Sequence, residues 1–347
     1  MTRAIPIVLG GAFLSVAGVS LSTDYTSERT LRIECETVFE METTAFEMER
    51  DGEVIDRPFG GGNASKEVRR VAYVDQVTAH ADGEPTAVRR AFEEVDATNT
   101  SEFGEESNES DAEGPLAGVT LELSLEDGEI VVEVVEGEEP DEDAALEGHG
   151  LTLALDALLP PGDVGEDASW DLEQDAILRA LGLDLEDALF PRVEREEEER
   201  PEGRRGGRGG FRGGRGGGST ARQIVQLEWE GTATLAEESG EWEGRTCAIV
   251  DLEIEASGEL PEPEFGGRGG RGFSFEPASS TVVENTFSVK LEGQLYFSVE
   301  DGMPLGLELE GTMTNERTTN RERGESTIRT STTREGTYTY RVVVTVE

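Results

Sequence analysis

The 347-residue chain has little of what most enzyme chemistry uses: two cysteines (Cys35, Cys247), two histidines (His80, His149) and two lysines (Lys66, Lys290). Cysteines and histidines this far apart give no zinc-knuckle spacing, and the chain has no HExxH helix, G-x-S-x-G elbow or P-loop. Cations are scarce: 30 Lys and Arg face 76 Asp and Glu, a formal charge of −46. A surface of that sign repels nucleic acid and anionic membrane over any broad face, so no nucleic-acid partner is expected. Salt screens the self-repulsion. So many carboxylates guarantee close pairs by chance, and none stands out as an acid–base couple. The acidic stretches 105–113 and 136–143 lack calcium-loop spacing and read as solvated surface. No catalytic residue, metal ligand or cofactor is assigned, and the chain is not read as an enzyme.

Residues 1–22 read as an export signal: Arg3 gives a short positive start, residues 4–21 are apolar and small, and Ser20 and Ser22 flank Leu21 before a polar chain. The mature chain is expected in the periplasm or outside the cell, with no membrane-spanning segment after cleavage. In such a compartment Cys35 and Cys247 can form one disulfide; two buried thiols are the other possibility.

Alternation at period two dominates. Residues 287–313 carry it furthest: Phe287, Val289, Leu291, Leu295, Phe297 and Val299, then Asp301-Gly302, then Met303, Leu305, Leu307, Leu309 and Met313, with mostly polar residues between. Successive strand side chains point to opposite faces, so this is a half-buried antiparallel hairpin. Centred on Gly302, it pairs Phe297 with Leu307, Leu295 with Leu309 and Gly293 with Gly311; paired glycines mark a bend or a close approach. Further strands are read over 31–48, 68–79, 119–134, 225–235, 248–254 and 338–346. Asp127-Gly128 gives the strongest short hairpin signal. Residues 86–95 fit strand or helix, 99–114 and 237–245 read as loops, and 315–335 as a Thr/Arg-rich connection.

The fold class is therefore mainly β: one large curved antiparallel sheet, or two β halves, with one or two short helices in the centre. The divisions are a signal peptide (1–22), an N-terminal β half (23–140), a leucine-rich helical connector (141–192), a disordered Glu-rich then Arg-Gly-rich linker (193–222) and a C-terminal β half (223–347). Gly182 is placed to stop a helix over 171–181. The linker has almost no apolar residue with which to offset ordering entropy. Its Arg-Gly run is RGG-like in composition, but it sits beside as many glutamates, which disfavours RNA.

Leu158-Leu159-Pro160-Pro161-Gly162, then Val164 to Trp170, then the 287–313 hairpin, follow an order that resembles bacterial secreted β-rich proteins of unknown function. More coarsely the pattern looks like the lipoprotein-carrier half-barrels, whose curved sheet holds a lipid beneath helices. The departures are a missing lipoprotein cysteine, the Arg-Gly insert and surplus strands, and no binding residue carries over. Two readings remain. In the first, this is an exported envelope protein with a structural or protein-interaction role. In the alternative, Leu291, Leu295, Phe297, Leu307 and Leu309 line a pocket for an apolar ligand such as lipid, with Trp242 exposed in a loop beside it. A filled interior favours the first; a connected space of several hundred Å³ behind the hairpin favours the second.

Overall fold

The computed structural model describes residues 20–25, 29–55, 63–104, 106–165, 167–191, 219–261, 281–323 and 326–347. Most of the signal segment and the 193–218 run lie outside them. Thirteen strands form one antiparallel sheet: β1 (Thr30–Arg50), β2 (Glu53–Val54), β3 (Asn63–Ala81), β4 (Glu84–Phe103), β5 (Glu106–Glu113), β6 (Thr120–Glu126), β7 (Glu129–Glu136), β8 (Ser169–Leu172), β9 (Glu228–Trp242), β10 (Arg245–Glu259), β11 (Thr281–Ser298), β12 (Met303–Arg323) and β13 (Ser326–Val346). Their order is β7-β6-β4-β3-β1-β13-β12-β11-β10-β9-β8, with β2 beside β1 and β5 beside β4. The outermost strands, β7 and β8, do not pair with each other, so the sheet stays open. Of the two architectures the sequence allowed, this is the single sheet. The first and last long strands join its halves, with Leu31 opposite Val346 and Arg50 opposite Ile328.

Turn chemistry sets the hairpins. Asp51-Gly52, Asp82-Gly83, Asp127-Gly128 and Glu243-Gly244 each place two successive residues at positive φ, the conformation of a two-residue turn whose twist matches the strands it joins. The segment 86–95 is thus strand, and the loop expected over 237–245 shrinks to two residues. The 287–313 hairpin forms in a different register: Leu295 faces Leu307, Gly293 faces Leu309 and Leu291 faces Gly311. A four-residue turn between Ser298 and Met303, with Gly302 at φ 64, and a bulge after Tyr296 shift the pairing by two, which leaves the buried face unchanged.

Gly293, Gly311 and Gly336 lie on the inner face. A Cβ there would sit 1.9, 1.8 and 1.8 Å from the carbonyl oxygens of Glu308, Lys290 and Glu40 on adjacent strands. The glycines do not face each other, but each admits a neighbouring backbone that a side chain would exclude.

The connector covers the inner face. It contains two 3-10 turns (Asp143–Leu146, Ala154–Leu158), α1 (Gln174–Ala180) and α2 (Glu186–Leu189); α3 (Thr220–Ile224) begins within the last residues of the stretch read as linker. Gly182 ends α1 at φ 64, its amide donating to Arg179 O at 3.0 Å and that of Leu183 to Leu178 O at 2.8 Å. Leu155, Leu158, Ile177 and Ile224 bury against Phe39, Leu121, Leu252, Leu295 and Tyr338 of the sheet. Leu21 and Tyr25, at the start of the described chain, join the same core. Among the described residues no helix is long and apolar enough to cross a membrane.

Candidate functional site

Charged residues sit where the alternation of β3 and β4 calls for apolar ones. Asp75 lies between inward Tyr73 and Val77, and Arg90 between Val88 and Phe92. Arg90 donates from Nε and Nη2 to Asp75 at 2.8 and 2.7 Å and from Nη2 to Gly150 O at 3.2 Å, with its guanidinium 4.7 Å over the Tyr73 ring. Both side chains are about 95% buried (4% and 5% exposed). Burial opposes the Arg90 charge, but the attraction and hydrogen bonds of Asp75 outweigh it and hold the group above the ordinary arginine range.

A second cluster fastens the connector. Arg69 donates to Glu67 at 2.7 Å, to both carboxylate oxygens of Glu186 on α2, and to Ser219 Oγ at 2.6 Å, and lies 4.5 Å over the Phe190 ring. Glu67 accepts from Ser219 Oγ at 2.9 Å and from the Thr220 amide at 3.0 Å, meeting the exposed amide end of α3. Burial raises the Glu186 carboxyl above its usual range. A third contact holds the N-terminal segment: Asp156 accepts from Thr23 Oγ1 at 2.6 Å and from the Tyr25 hydroxyl, which itself accepts from the Leu153 amide at 2.7 Å.

Between these clusters lies a cavity of about 90 Å³ bordered by Cys35, Tyr73, Arg90, Arg179, Asp184 and Tyr340, among others. That volume admits a few waters and is far below the several hundred Å³ of a typical ligand pocket. Burial pushes the Cys35 thiol up to about 12, so it stays protonated and unreactive. His149 is buried against Phe92, His80 is exposed at the end of β3, and among the described residues no group of three His, Cys, Asp or Glu side chains could hold a metal. Two larger depressions are open to solvent, one beside β7 and one over Glu40, Glu42, Lys66, Glu102 and Glu335.

The residues expected to line a ligand pocket are buried. Leu291, Leu295, Phe297, Leu307 and Leu309 are at most 3% exposed and pack among themselves and the connector. Trp242 is not an exposed loop residue. The two-residue turn brings it back onto the outer face, where it stacks on Tyr296 with centroids 4.5 Å apart, beneath Arg341 and flat against Gly306. Cys35 and Cys247 are both free. Their strands, β1 and β10, have β13, β12 and β11 between them, a separation of about 19 Å at ~4.8 Å per strand, beyond disulfide reach.

No protein-family model matches the chain, and no curated protein matches it. Among solved structures, Pseudomonas aeruginosa OccK7 (OpdD) aligns over 92% of this chain and 100% of its own at 7% identity and TM-score 0.18. A substituted porin of Rh. blastica aligns over 88% and 99% at 8% identity and TM-score 0.13. Scores this low carry no argument about fold or activity. The class is defined by the molecule itself: an open antiparallel sheet capped on its inner face by a short-helix connector.

Proposed function

We propose that the chain is an exported envelope protein acting as a structural or protein-interaction scaffold, without a catalytic centre. One observation carries this reading: the space between sheet and connector is packed but for a cavity of about 90 Å³, too small for a lipid. A carrier of apolar ligand needs a continuous apolar chamber behind the 287–313 hairpin, and the side chains that would line it are packed against one another. The connector is also fastened to the sheet by two buried ionic clusters, which fits a rigid platform better than a lid that opens to load lipid. The positive start and the apolar, small-residue run of residues 4–21, read as an export signal, support the extracytoplasmic placement.

Native mass spectrometry of the mature chain from its exported location, followed by organic extraction, tests the proposal. The expected result is a mass equal to the bare polypeptide and no uptake of a fluorescent fatty acid. A co-purifying lipid at near-unit stoichiometry overturns the scaffold in favour of the carrier.

A further inference from the structure

Beyond Gly336, β1, β12 and β13 continue past the connector's cover. Register places Arg317, Thr319 and Arg321 of β12 opposite Thr332, Thr330 and Ile328 of β13, with Phe46 and Met48 of β1 opposite Thr332 and Thr330. These residues share the face that holds Met313 and Tyr338 in the core. The opposite face carries Glu316, Glu322, Glu335, Glu47 and Glu49. The outer face also carries Arg329, paired with Glu49, whereas on the inner face of this extension Arg317, Arg321 and Arg334 stand among threonines.

Arg334 faces Asn315, and Arg317 is two residues along, so the two guanidinium groups are diagonal neighbours on one face. Each has a buried Nε with no hydrogen-bond partner. Arg334 donates from Nη2 to Ser65 Oγ at 2.7 Å. Among the described residues none of Arg317, Arg321 and Arg334 is within 4.0 Å of a carboxylate, on a chain with 76 of them. Burial without a countercharge holds Arg334 below the ordinary arginine range. Adjacent like charges without a countercharge are unfavourable, and an anion seated against the accessible ends of the two guanidinium groups supplies that countercharge.

We propose that this arginine face binds a linear anionic polysaccharide. The inference rests on the scaffold reading and names its partner's chemistry. Arg321 lies four residues beyond Arg317, about 14 Å at ~3.4 Å per residue, with Thr319, Thr330 and Thr332 hydroxyls around the interval. Two cationic stations separated by hydroxyls suit a flexible chain that bears carboxylate or sulfate along its length, with sugar hydroxyls between the charges. Duplex nucleic acid, and a single strand likewise, would bring dense charge against the acidic remainder. Long-range repulsion by the acidic surface and short-range arginine pairing respond differently to salt. Affinity should therefore pass through a maximum near 0.1 M, where the Debye length falls to about 10 Å.

The test measures binding of the full chain to dextran sulfate and polygalacturonate. Neutral dextran, phosphatidylglycerol vesicles and poly-glutamate serve as the other arms. The expected result is retention by at least one anionic polysaccharide, tenfold or more weaker in R317Q/R334Q, about threefold weaker in R321Q, and unchanged in R70Q, whose arginine lies on the outer face. R321Q alters an exposed position and keeps the test decisive if the double variant does not fold. No binding to either polysaccharide, equal binding by R317Q/R334Q and R321Q, or preference for vesicles or poly-glutamate overturns the proposal. A lipid found by native mass spectrometry would overturn the scaffold reading separately.

Discussion

Arg90 and Asp75 show how a single position can be read from sequence only after the fold is known. Their signal was present, a charge at an inward position of an alternating strand, but alternation cannot say which partner lies across. Register supplies it by placing Arg90 directly opposite Asp75. Replacing Arg90 with methionine leaves a buried carboxylate uncompensated and should cost roughly 3–5 kcal/mol in denaturant unfolding, with D75N/R90M recovering part of that loss. Equal stabilities of R90M and the double variant would contradict a coupled pair. Two other buried groups act oppositely on acid stability. Burial pushes Asp156 up to about 6, so between roughly pH 4 and 6 the folded chain holds a proton that the unfolded chain releases, and stability falls as pH rises. Burial and the Arg90 charge bring His149 down to about 4, so over nearly the same window the unfolded chain holds the extra proton and stability rises with pH. D156N should therefore tilt the melting temperature upward with pH across this window relative to the parent chain, and H149Q should tilt it downward. Thermal melts of the three proteins at pH 4, 5 and 6 check both signs.

At the scale of elements, the Asp-Gly turns and the Gly182 stop were legible because each depends on local backbone chemistry. The hairpin face was legible too, since a register change of two keeps the same residues inward. The polar strand ends were not. Segments 99–114 and 315–335 read as loops because they bury no apolar stripe, yet they pair as strands, with β12 and β13 in step from Gly306 opposite Val343 to Arg323 opposite Ser326. Abundant threonine and an uninterrupted ladder hold them extended without a core. These close-approach glycines offer a direct test. G311A places a methyl group 1.8 Å from Lys290 O and should lower stability by more than the roughly 1 kcal/mol spanned by strand propensities, whereas G162A, in a loop where a Cβ meets nothing within 4 Å, should be near neutral. Chemical denaturation of both variants decides it; parity between them would mean the strands slide apart to make room.

For the whole molecule, the first and last long strands meet at the middle of the sheet, so the fold is complete only when residues about 300 apart in sequence pair. Such non-local pairing predicts slow folding, measurable as refolding on the scale of seconds or longer by tryptophan fluorescence. The same topology separates the cysteines, and dithiothreitol should leave the melting temperature unchanged; a reductant-sensitive melt would restore the Cys35–Cys247 bridge. Leu21 packs in the core, so a chain beginning at Thr23 should be less stable than one beginning at Ser20 by about 2–5 kcal/mol, the range for losing a buried leucine. Sequence alone determined the β class, the turns, the acidic surface and which face of each strand is apolar, because these follow from side-chain alternation and local backbone preference. Tertiary structure decided that both halves share one sheet, that Leu291, Leu295, Phe297, Leu307 and Leu309 are buried against one another and the connector, and that Arg317 and Arg334 stand side by side with no carboxylate within 4.0 Å among the described residues, because long-range register and packing density leave no mark within any one segment.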